Sequence, residues 1–249
     1  LRGFFTDTFP AALYRTRRWW VVTALAGFGA SVVIGWWYLS HPQFESSLMS
    51  PSEIDQLVNA DFESYYSEFA ASHFAARVWT NNAWIAALCI ALGVLGVPVV
   101  YLLFQNVLNL GIVGAIMVNH DRGALFFGLI VPHGLLELTA VFVAGGTGLR
   151  LFWAWIDPGP RTRAQAVARE GRSAIAVALG LVVVLAISGV IEAFVTPSPL
   201  PAWARIGVGV LAEAAFITYV FTVGRWACQR GLTGDVSARD VGDTAPVVG

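Results

Sequence analysis

An all-α, polytopic membrane helix bundle is the fold class this sequence predicts, and three observations predict it. Of 249 residues, 57% are hydrophobic and only 12% charged, about half the charged share of a soluble domain. Six apolar runs approach the ~20 residues that a membrane-crossing helix needs. Arginines collect at alternate ends of those runs, the pattern that orients helices with their basic loops on the cytoplasmic side.

The elements follow in order. Residues 1–18 read as a cytoplasmic N-terminal segment, with Arg15, Arg17 and Arg18 ahead of a Trp19–Trp20 interfacial anchor. The first span covers 19–39. Residues 40–81 form the largest extracytoplasmic piece, where Glu45, Glu53, Asp55, Asp61, Glu63 and Glu68 face one base, Arg77. Pro51-Ser52-Glu53 reads as a helix start, and Ile54, Leu57, Val58, Phe62, Tyr65, Tyr66 and Phe69 recur at helical spacing. One or two amphipathic helices are expected there, serving as a lid over the bundle or as a docking surface.

Residues 82–230 make the membrane bundle core, with spans near 82–103, 105–119, 124–148, 174–195 and 203–226. Asn81-Asn82 opens the second span and would cap it. Asn106 and Asn109 dilute the short third span, and their amides would satisfy backbone groups freed by a break after Phe104. The fourth span is expected to be broken or bent, because Pro132 and Gly134 flank His133. An arginine-rich cytoplasmic loop, 149–173, holds Arg150, Arg161, Arg163, Arg169 and Arg172 around a Pro158-Gly159-Pro160 turn. A stiff outer turn, Thr196-Pro197-Ser198-Pro199-Leu200-Pro201, joins spans five and six. The small, polar tail 231–249 is expected to be disordered. An even number of spans puts both termini on the cytoplasmic side.

Several functions find no support. The net charge of -1 supplies no basic surface for nucleic acid. Cys89 and Cys228 lack metal-ligand spacing and read as packing residues without a disulfide. Leu1 stands where a methionine would begin a chain, so further residues are expected upstream. The first apolar run is too long, and lacks the small-residue site, to be a cleavable signal peptide.

The chemistry-bearing residues lie inside the spans. His133 sits about nine residues into the fourth, roughly 13 Å deep at 1.5 Å per residue. Glu137 is one turn further on the same face. Glu192, near the outer end of the fifth span, and Glu213, in the sixth, are placed to converge on them. Ionisable groups at membrane depth are costly and point to function. Three readings stay open: hydrogen bonds locking helices together, an ion or proton path, or a metal or hydrolytic centre. One histidine with scattered glutamates is a weak zinc set, and His-Gly-Leu-Leu-Glu is not the two-histidine zincin motif. No metal ligand and no cofactor is therefore assigned. Gly145, Gly146 and Gly148, with the pairs Gly93/Gly96 and Gly207/Gly209, predict close helix crossings and a homodimer through glycine-rich faces.

Taken in order, Asn81-Asn82, the Asn106/Asn109-Gly111 region, Pro132-His133-Gly134 with Glu137, Ala144-Gly145-Gly146-Thr147-Gly148-Leu149 and Ile191-Glu192-Ala193-Phe194-Val195-Thr196-Pro197 resemble the stage II sporulation protein M family of bacterial integral membrane proteins. The resemblance covers roughly residues 75–226. It implies a scaffold or assembly factor in the bacterial inner membrane, since the sporulation member recruits peptidoglycan-degrading enzymes. The partners it implies are the lipid bilayer and a membrane or envelope protein. A transporter or channel for an ion or small polar or lipid-derived molecule is the alternative from the residues, and an intramembrane hydrolase is the third.

Overall fold

A computed structural model describes residues 1–61 and 71–235 of the chain. The helices are α1 (Phe9–Leu39), α2 (Glu45–Leu48), α3 (Pro51–Gln56), α4 (Ala71–Ala91), α5 (Val97–Asn119), α6 (Gly123–Ile156), α7 (Arg163–Val190), α8 (Ala202–Tyr219) and α9 (Arg225–Gln229). No strand occurs among the described residues. Turns of π-helix extend four of these elements, at Phe4–Thr8, Leu57–Asp61, Ile191–Val195 and Val220–Gly224. By length and composition, 5 helical stretches suit a membrane crossing: Phe4–Leu39, Val97–Asn119, Gly123–Ile156, Arg163–Val195 and Ala202–Gln229. α4 makes a further pass beside α6, touching it from Asn82, at Glu137, to Cys89, at Gly148.

α6 is the axis of the bundle. Its 34 residues span about 51 Å at 1.5 Å per residue, well beyond the ~30 Å hydrocarbon thickness. α1, α4, α5, α7 and α8 all pack around it, and it buries a run from Thr139 to Gly148 without interruption. The glycines explain how the neighbours come so near. A Cβ on Gly148 would strike the backbone carbonyl of Cys89 in α4, and one on Gly146 would lie 2.5 Å from Trp20 Cα in α1. Gly145 faces Leu103 of α5 in the same way. The predicted small-residue crossings are thus real, but α6 spends all three on its own chain and leaves none for a dimer. Gly209 also makes a close crossing, against Pro132, whereas Gly207 faces open space.

Four boundaries differ from the sequence expectation, each for a physical reason. The break between the second and third spans falls at Gly93–Gly96, not after Phe104. Gly96 takes φ 70°, a left-handed conformation that glycine tolerates and other residues resist, and Pro98 then starts α5. Asn106 accordingly lies within a continuous helix, its amide donating to Leu102 O at 2.9 Å. Asn81 and Asn82 stand mid-helix in α4 rather than at a cap. α6 runs unbroken through Pro132, whose missing N–H is accommodated where α8 passes at Gly209. Finally, the 149–173 loop shrinks to 157–162. Thr162 and Gln165 form a reciprocal capping box that starts α7 at Arg163, so Arg163, Arg169 and Arg172 are helical.

The arginine-rich end is organised by ion pairs. Glu170 of α7 binds Arg150 of α6 at 2.7 Å and Arg15 of α1 at 2.5 Å. Residues 1–18 are no loose segment: Phe9 to Leu13 are buried in the core. The two ends of the described chain meet there, Arg230 pairing with Asp7 and Tyr219 donating to Phe5 O at 2.6 Å. Within the tail, Asp235 pairs with Arg172; residues 236–249 lie outside the described part.

At the opposite end, residues 40–61 are clamped to the bundle. Ser50 caps α3 and forms a capping box with Glu53, one residue ahead of the expected start. Ile54 and Val58 are buried with Tyr38, Ile116, Met117 and Phe126. Glu45 accepts from Tyr38 Oη at 3.2 Å and Asn119 Nδ2 at 3.0 Å, and pairs with His120 at 2.9 Å. Phe62, Tyr65, Tyr66 and Phe69, expected on the same amphipathic face, lie outside the described residues.

Two predictions follow from this packing. Gly148→Ala should cost ~1–3 kcal/mol through overpacking, read as a lower melting temperature in detergent. Gly29→Ala, which faces open space, should change it little. Partial burial opposes ionisation of Glu45, but hydrogen bonds from His120, Asn119 and Tyr38 outweigh it and hold the carboxyl below the ordinary 4.5. Its clamping contribution is complete above that value and fades as the pH falls further, because the native state must then take up a proton it resists. A nitroxide at Leu48→Cys should therefore gain mobility from about pH 5 down to about pH 3, and Glu45→Gln should remove that transition.

Candidate functional site

Three of the four intramembrane residues singled out by the sequence meet in the interior. His133 is 4% exposed, Glu137 7% and Glu192 2%. One ligand atom from each lies within 4.8 Å of the others. His133 Nε2 stands 3.5 Å from Glu192 Oε1. His133 and Glu137 come one turn apart from α6, where successive turns of a helix share a face.

Glu192 arrives by a less visible route. It sits in the π-helical turn Ile191–Val195, where Thr196 N donates to Ile191 O, five residues back, at 3.1 Å. The wider turn rotates Glu192 relative to the α-helix before it, and such bulges often mark functional positions.

Residues around the cluster fix its geometry. Asn82 of α4 donates to Glu137 Oε2 at 2.9 Å. His133 Nδ1 pairs with Thr196 Oγ1 at 3.3 Å, and Arg205 binds the Thr196 carbonyl at 2.6 Å. Ser188 of α7 donates to the His133 carbonyl at 2.9 Å, which adds a tie at the proline site. Asn82 was expected as a cap and is instead a first neighbour of the site. Thr196, read only as part of a stiff turn, carried no sequence signal for this role.

Glu213 is not part of the group. It accepts from Thr139 Oγ1 at 2.9 Å, the hydroxyl two residues beyond Glu137 on α6. Glu213 therefore bridges α8 to α6 at a separate point. Asn109 and Asn106 do not bind the cluster directly; they line a cavity of about 340 Å³ whose walls also include Leu57, Phe126, His133 and Glu137. The cavity joins the cluster to the clamped outer segment.

The arrangement is rich in acceptors and poor in donors. Glu137 Oε1 and Glu192 Oε2 have no hydrogen-bond partner among the described residues. Two carboxylates and an imidazole this close cannot all present lone pairs to one another in a water-poor interior. Protons or a cation must complete the group. The cluster can thus tie α4, α6 and α7 together, exchange protons, or hold a metal ion.

Fold and site together define a polytopic α-helical membrane protein built around one axial helix with a buried His–Glu–Glu–Asn cluster. The model of the family described as Stage II sporulation protein M matches residues 24–197, and the chain belongs to that family. The match takes in His133, Glu137, Glu192 and Thr196, along with α4, α5 and α6. No curated protein and no solved structure matches the chain.

Proposed function

We propose that this protein is a membrane-embedded scaffold whose outer segment, residues 40–61, is the surface presented to an envelope-protein partner. The observation that carries the reading is the way this segment is held. Tyr38, Asn119 and His120 converge on Glu45, Arg122 binds Asn59 at 3.1 Å, and Ile54 and Val58 are buried beneath. Yet Phe44 and Leu48 point outward, 42% and 53% exposed. A segment fixed on one face and apolar on the other is pre-organised to bind, because little ordering entropy remains to be lost. Family membership supports the same reading, as does a bundle whose axial helix is locked on every side. The bacterial inner membrane, with the arginine-rich end and both termini cytoplasmic, is the location that the charge asymmetry favours.

A second reading is favoured by the cavity that reaches His133 and Glu137: passage or sensing of protons or a small polar solute. Polar walls at membrane depth are a feature of such paths.

A photo-reactive residue placed at Leu48 should give a discrete cross-linked product with a second envelope protein in membranes of the native host. Glu45→Ala should reduce it at least several-fold while expression and melting of the bundle are preserved. Absence of any product from positions 44 and 48 would refute the docking surface. Proteoliposomes carrying a trapped pH dye separate the second reading: an imposed gradient should dissipate faster than in protein-free vesicles, and Glu137→Gln should abolish the difference.

A further inference from the structure

The geometry points to His133, Glu137 and Glu192 as a binding site for one divalent transition-metal ion, with Zn²⁺ the ion its donors suit. This goes beyond the scaffold reading and stands on different residues. One imidazole nitrogen with two carboxylate oxygens is a mixed N/O donor set of the kind zinc accepts, leaving a fourth position open. Donor atoms around a tetrahedral zinc lie about 3.4 Å apart, given bond lengths near 2.1 Å. His133 Nε2 and Glu192 Oε1 are already 3.5 Å apart, and the third donor lies within 4.8 Å, so a rotation of the Glu137 carboxyl closes the set.

Four further observations fit an ion rather than a simple hydrogen-bond lock. Glu192 Oε2 and Glu137 Oε1 are buried without a partner among the described residues, so oxygen lone pairs remain unused where no water-rich surface is near. His133 carries an outer partner on its other nitrogen, Thr196 Oγ1 at 3.3 Å; with Nδ1–H donating there, Nε2 turns its lone pair to the carboxylates, as metal-bound histidines are oriented. Asn82 holds the second oxygen of Glu137 at 2.9 Å, which restricts that ligand in turn. The cavity beside His133 and Glu137 gives an ion a route in from the outer end.

The site joins α6 to α7 through three ligands, with α4 as the outer support. A bound ion would replace two uncompensated buried charges by bonds that span the bundle, and stability would then follow ion concentration.

The test uses the full chain, purified in mild detergent, stripped with chelator, equilibrated with micromolar Zn²⁺ and desalted. Metal analysis should find about one zinc per chain, and the melting temperature should rise with zinc. His133→Asn and Glu192→Gln keep similar volume and should run as monodisperse species, yet lose zinc affinity at least tenfold and lose the rise. His120→Gln, which disrupts the exposed His120–Glu45 pair, should bind as the parent does. Zinc-free parent protein, or zinc lost in His120→Gln but kept in the two buried variants, would overturn the proposal. If the buried variants do not fold, cobalt-loaded parent protein decides: strong visible bands of a low-coordinate nitrogen–oxygen site support it, and the weak bands of aqueous cobalt overturn it.

Discussion

Lipid gives apolar helices no reason to prefer one another, since acyl chains are as apolar as leucine. Close backbone contact and shielded polar bonds must hold such a bundle instead. In this protein both are concentrated on α6. Between Gly145 and Gly148 it lets α1, α4 and α5 approach to backbone distance. One to two turns earlier it carries the imidazole and carboxyl that α4 and α7 meet with Asn82 and Glu192. Every other helix is positioned by its distance from this axis. The outward faces, such as Leu25, Val32, Leu179 and Leu211, stay exposed and apolar, as a lipid-facing surface should be.

Much of this was legible in the chain, and the parts that were not share a cause. Composition and arginine placement identified the class, and the described termini do meet at one end, with Arg15 and Arg150 beside them. His133, Glu137 and Glu192 could be singled out because each is a lone ionisable group in a long apolar run. Their convergence depended on a π turn, which leaves no mark in hydropathy since it changes phase and not composition. Thr196 was hidden in the same way, reading as a turn residue because Pro197 follows it. Glu213 shows the converse: depth alone placed it near the cluster, but its helix face directs it to Thr139. The break between α4 and α5 was misplaced because asparagines drew attention to 104–109, while the conformation only Gly96 adopts readily decided the matter.

The two ends of the bundle are built by different means. At the arginine-rich end, ion pairs centred on Glu170 and Arg172 knit helix termini together. At the other, one carboxylate, Glu45, collects three donors and an apolar cluster lies beneath. The first arrangement resists separation of helices; the second fixes a short segment against helices that are already fixed. A molecule with a rigid base and a separately clamped outer piece can lose that piece without losing its fold.

The π turn at Ile191–Val195 stores one surplus residue beside the carboxylates. A straight α-helix of the same height would need one residue fewer and would aim position 192 about 100° away. Deleting a single residue from this stretch would leave the crossing length nearly unchanged while turning the acid out of the interior. Chain length here sets aim rather than reach, so an insertion or deletion at this point is a change of chemistry disguised as a change of spacing.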